Sequence, residues 1–80
     1  MQWAHLYTVE TATRMTVIAA LSVTHAARII TLHAPHETIT HVRLASDEDI
    51  ATFITASGTT HHELQASLDY MNHLAMEVLH

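Results

Sequence analysis

Arg28-Ile29-Ile30-Thr31-Leu32-His33-Ala34-Pro35-His36-Glu37-Thr38-Ile39-Thr40-His41-Val42-Arg43-Leu44 is the stretch on which the fold of this 80-residue chain turns. Both flanks are rich in β-branched residues, which suit a pleated, half-buried surface. Between them, Ala34-Pro35-His36-Glu37 places proline at the second position of a turn. The expectation is a β-hairpin with strands over 28–33 and 38–44. In the competing reading Pro35 opens a helix that continues through Val42 to Ser57. Strand propensity favours the hairpin, whereas the scarcity of punctuation, one proline and one glycine in the whole chain, favours the helix.

On the C-terminal side the signals are clearer. Ser46 followed by Asp47, Glu48 and Asp49 reads as a helix start, a capping hydroxyl and then acids suited to the positive end of the dipole. Ile50, Phe53 and Ile54 supply the buried side, and Gly58 is the expected left-handed residue after the helix. Thr60 and Glu63 form a capping box for a last helix over 60–79. There Leu64, Leu68, Met71, Ala75 and Val78 recur at spacings of four and three, an apolar stripe down one side. On the N-terminal side, Trp3 to Val9 reads as a strand. Thr11 or Thr13 then caps a helix to Ala27, with Met15, Ile18, Leu21 and His25 on its inner side.

The resulting architecture is α+β: one small domain over 1–80 in the order β-α-β-β-α-α. Its first five elements are the beginning of a ferredoxin-like unit, incomplete because the fourth strand is replaced by a helix. The alternative is an all-α three-helix bundle. Residues 4–57, with Arg28-Ile29-Ile30 as second strand and Glu10-Thr11-Ala12-Thr13-Arg14 between first strand and helix, resemble the order of a small-molecule-sensing ACT domain. That resemblance implies ligand sensing. Residues 40–71 partly resemble a ribbon-helix-helix repressor, with Val42-Arg43-Leu44 as ribbon and Gly58-Thr59-Thr60-His61-His62-Glu63-Leu64 as turn and second helix. That resemblance implies DNA contact through His41 and Arg43.

Composition narrows the classes. The chain is 49% apolar and 14% charged, too hydrophobic for a disordered segment. Its longest apolar run, Val17 to Leu21, is far short of the roughly 20 residues of a membrane span. No signal peptide is evident, and the expected setting is cytoplasmic without membrane association. With no cysteine, disulfides and thiolate chemistry are excluded. Arg14, Arg28 and Arg43 are the only fixed cations against eight carboxylates, a formal charge of −5. Nucleic acid is therefore not an expected partner, since phosphate binding draws on Lys and Arg. Nine histidines would bring the charge from −5 to +4 if all were protonated (−5 + 9). Imidazole titrates near pH ~6.5, so the surface field can change sign in mild acid.

The sharpest chemical candidate lies on the last helix. Asp69, His73 and Glu77 are spaced i, i+4, i+8, with His80 three residues on and His62 seven before Asp69. Imidazole and carboxylate on consecutive turns are ligands suited to Zn or Ni. Such pairs also occur on ordinary solvated helix faces, where they contribute tenths of a kcal/mol. His33, His36, Glu37 and His41 form a second cluster around Pro35. In a hairpin, alternation puts His33 and His41 on opposite faces. His61 and His62 sit at the start of the helix, where the dipole opposes protonation. Ser22, Ser46, Ser57 and Ser67 lack a nucleophile elbow, and one glycine cannot build a phosphate loop. The reading leans away from an enzyme. It favours a non-catalytic binding and association module, homodimeric, sensing a small ligand, with Ile30, Leu32 and Ile39 pairing between copies. A His/carboxylate metal-binding protein and a DNA-binding repressor are the alternatives.

Overall fold

A computed structural model of the chain describes residues 3–78. Among the described residues there are three strands and three helices, so the α+β class holds and the all-α bundle is excluded. The strands are β1 (His5–Thr11), β2 (Met15–Ala20) and β3 (Ile39–Leu44). The helices are α1 (Val23–His33), α2 (Asp47–Ser57) and α3 (His61–Val78). The order along the chain is β-β-α-β-α-α. The hairpin is β1–β2, with the Thr11 N–H donating to Arg14 O at 2.9 Å across its turn. It does not lie at Pro35. Met15 and Ile18 belong to a strand, and Arg28 to His33 to a helix, the reverse of the sequence expectation for 15–20 and 28–33, whereas Val23 to Ala27 is helical as expected. The ACT-like strand Arg28-Ile29-Ile30 is thus also absent.

The physical reason is a cap and a stripe. Ser22 has extended backbone and its side chain accepts from the His25 N–H at 3.0 Å, which starts α1. Ala26, Ile30 and Ala34 follow at intervals of four, and all three are buried. Tertiary burial of that stripe outweighs the strand propensity of Ile29-Ile30-Thr31. In Met15–Ala20, Thr16, Val17 and Ile18 alternate across the sheet, although Met and Ala are good helix formers.

The sheet is antiparallel, in the order β2-β1-β3, so β1 is central. Tyr7 is opposite Ile18 on one side and Leu44 on the other; Thr8 is opposite Val17 and Arg43. A β-bulge interrupts the β1–β3 register between Glu10 and Thr11. Alternation sends Tyr7, Val9, Ala20 and Val42 to one face, where they meet Ala26 and Ile30 of α1. Thr8, Val17 and Ala19 go to the other, which the α2–α3 arm covers. The sheet therefore lies between α1 and that arm.

The two C-terminal helices begin where the sequence indicates, α2 with a complete capping box and α3 with half of one. Ser46 and Asp49 make a reciprocal capping box, and Gly58 is left-handed at φ 77°. The Thr60 hydroxyl accepts from the Glu63 N–H at 3.1 Å. Leu64 and Ala75 are buried and Leu68 and Met71 half-buried, which makes the stripe of α3 a core contact. The side chain of Val78 lies outside the described residues. Asn72, on the flank of that stripe, takes the Ala4 N–H at 2.6 Å and ties α3 to the start of β1. Among the described residues, no helix is long and apolar enough to cross a membrane.

Candidate binding surface

Most of the polar side chains singled out above are already engaged. The outer side of α3 holds His73 Nε2 and Glu77 Oε1 3.0 Å apart, both largely exposed. Asp69, one turn earlier, accepts from Gln65 Nε2 at 3.1 Å. His62 sits at the other end of α3, beside Asp47 and Ile50 of α2. His80 lies outside the described residues. Among those residues, no group of three or more His, Asp and Glu side chains is placed to hold a metal ion.

Around Pro35 the carboxylate is taken. Glu37 accepts from Arg14 Nη2 at 2.7 Å and Nε at 3.1 Å, and from the Thr13 hydroxyl at 2.9 Å. The Arg14 guanidinium, with help from Thr13 and Thr11, holds the Glu37 carboxyl below its usual range. This clamp joins the β1–β2 turn to the α1–β3 loop. His25 is engaged within its own helix start. Its Nδ1 accepts the Leu21 N–H at 3.0 Å, which supports the beginning of α1 beside the Ser22 cap.

Sequence reasoning missed the polar network on the second face of the sheet. Arg43 donates from Nη2 to Asp49 Oδ1 at 2.9 Å, and its Nη1 lies 3.1 Å from Glu10 Oε2. Thr8, fully buried, donates its hydroxyl to Asp49 Oδ2 at 2.9 Å. The Arg43 guanidinium, the Ser46 backbone and the Thr8 hydroxyl hold the Asp49 carboxyl far below the usual carboxylate range, at about 2, against the opposing effect of burial. Asp49 and Glu10 in turn push the Arg43 guanidinium up. One signal was available: Thr8 is the lone hydroxyl in Leu6-Tyr7-Thr8-Val9 that lacks a ring, and a buried hydroxyl needs a partner. Its partner, 41 residues away, has no local mark in the sequence.

Among the described residues Arg28, His33, His36 and His61 have no side-chain hydrogen-bond or ion-pair partner, and apolar surface is also left open. Two open grooves flank α3. One, of about 510 Å³, runs beside β2 between Ile18, Ile29, Phe53, Tyr70 and Met71. The other, of about 560 Å³, lies between α3 and α2 and is bounded by Leu6, Ile50, His62 and Leu68. Leu32 and Leu44 are 75% and 62% exposed. Of the three residues expected to pair between copies, Ile30 lies on α1 and is buried against the sheet and Ile39 packs on the core, so only Leu32 is free to do so, and it too lies on α1. No protein-family model, curated protein or solved structure matches the chain.

Proposed function

We propose that the chain is a small non-catalytic binding and association module that acts as a homodimer. The observation that carries this reading is the apolar surface left open beside polar groups that are paired with one another. Leu32, Leu44 and Tyr70 are each more than 60% exposed, and the grooves along α3 add further apolar lining. A domain this small buries a limited core, so covering such surface with a second copy is favourable. Small-ligand sensing belongs to the same reading, because the groove beside Ile18 and Ile29 falls within the roughly 300–1,000 Å³ range of ligand sites. Sedimentation equilibrium from low to high micromolar concentration tests it. The expected mass rises from 8.9 kDa toward twice that value. A strict monomer that also binds no apolar dye would remove the proposal.

A second reading, a divalent metal such as zinc or nickel on the outer side of α3, is favoured by one contact, His73 to Glu77 at 3.0 Å. It predicts that zinc raises the melting temperature and that His73→Ala abolishes the rise; no rise with stoichiometric metal ends it. Nothing in the arrangement favours DNA binding, since Arg43 already meets two carboxylates.

A further inference from the structure

The open edges of the sheet are unequal. The Ala45 N–H donates to Leu6 O at 2.9 Å. Ladder alternation then turns His41, Arg43 and Ala45 toward β1, and turns the N–H and C=O of Val42 and Leu44 outward. Among the described residues, no hydrogen bond outside the ladder reaches those outward groups. On the opposite edge, the Thr11–Arg14 bond leaves the N–H and C=O of Met15, Val17 and Ala19 pointing away from β1. There Val17 and Ala19 are only 2% and 6% exposed, so that edge is closed by the helices. The β3 edge is open: Leu44 is 62% exposed, and residues 41–45 contain neither proline nor bulge, the register shift lying further on, at Thr11 and Ile39.

We infer that the β3 edge of one protomer pairs antiparallel with the β3 edge of a second copy, about a twofold axis at Arg43, giving a continuous sheet β2-β1-β3-β3-β1-β2. This rests on the association reading above and specifies its interface. An edge strand is complementary to its own copy under a twofold rotation, and the outward groups fix the register. Val42 lies opposite the partner's Leu44 as a hydrogen-bonded pair, twice by symmetry, giving roughly four backbone bonds. Directly opposed residues share a face, so each exposed Leu44 covers a half-buried Val42. The two Arg43 side chains meet across the axis. Each is already paired with Glu10 and Asp49 of its own copy, so neither brings an unpaired cation to the axis.

The test uses the absence of native cysteine. Val42→Cys and Leu44→Cys proteins are oxidised separately and mixed. Opposed Cα atoms in a hydrogen-bonded pair are about 5.5 Å apart, within disulfide range. The expected result is a cross-linked dimer in the mixture and far less in either protein alone, with Thr55→Cys, on exposed α2, as control. Val42→Pro removes an N–H that faces away from β1, which an edge strand tolerates. It should weaken dimerisation at least about tenfold while circular dichroism is unchanged. A wild-type dimer that gives no 42–44 cross-link and is indifferent to Val42→Pro overturns the edge pairing and leaves the association reading standing. A wild-type monomer overturns the edge pairing and the homodimer, and one that also binds no apolar dye overturns the binding reading as well.

Discussion

At the scale of single residues, the firmest consequence concerns Asp49. Its carboxyl is held at about 2 against an ordinary 3.8, and its side chain is 13% exposed beside Arg43. A carboxylate with a depressed folded-state pKa contributes stability that is fully present above the unfolded value and is lost as pH falls through the folded one. That difference corresponds to about 2 kcal/mol at neutral pH. Urea unfolding of wild type and Asp49→Asn should therefore show a stability gap that is constant above pH ~5 and shrinks steadily toward pH ~2. A gap independent of pH would mean that the Asp49 charge does not stabilise the fold. Thr8→Val isolates a neighbouring contact. It keeps the shape and removes the hydroxyl that donates to Asp49 at 2.9 Å. Because Arg43 and Ser46 still serve the carboxylate, the expected loss is about 1.5 kcal/mol, at the lower end for a bond to a charged group.

At the scale of elements, α2 is the weak member. It has no fully buried residue and is defined by its ends. Gly58 sits at φ 77° with open space where a Cβ would go, so Gly58→Ala is penalised by backbone conformation alone. The expected cost is about 1 kcal/mol, and Gly58→Asn should recover part of it because Asn enters the left-handed region more easily. Equal losses for both would show that something other than backbone conformation matters there. These ends were legible in the sequence. The chemistry of Ser46-Asp47-Glu48-Asp49, of Gly58 and of the Thr60 and Glu63 pair acts locally, and local chemistry can be read from neighbours. Residues 15–20 and 28–33 were not legible. Met15–Ala20 contains as many helix formers as β-branched residues, and Arg28-Ile29-Ile30 has strand propensity, yet each takes the other state. The deciding facts are non-local, the pairing of Val17 with Thr8 and the burial of Ala26 and Ile30 on that sheet. Ser22 was the one local clue, a cap whose companion at His25 is an imidazole in place of the usual Glu or Gln. On α3 the apolar stripe was plain from spacing, and so was the His73–Glu77 pair. The Arg43–Asp49–Glu10 network was invisible because strand register sets Arg43 beside Glu10 and the β3–α2 connection brings Asp49 back onto it.

At the scale of the whole molecule, the two sides of the sheet are finished differently. Under α1 the core closes around Val9, which is 0% exposed. On the α2–α3 side Leu64 is buried but has an open groove on each flank. Truncation should distinguish these environments. Val9→Ala leaves a closed void, so it should lose both the transfer free energy of its methyl groups and the cavity penalty, about 2 kcal/mol or more. Leu64→Ala deletes more atoms but opens onto grooves that water can enter or neighbouring chains can fill. Its cost should fall near the low end of the usual range, about 2–3 kcal/mol, and so be smaller per methyl group removed. The same asymmetry orders the opening of the structure. Hydrogen exchange should release the amides of α2 at lower free energy than those of β1 and α1, because few buried contacts hold α2 down. If the α2 amides instead exchange only with global unfolding, and Leu64→Ala costs as much per methyl as Val9→Ala, both sides of the sheet form one cooperative core and the grooves are not a source of local looseness.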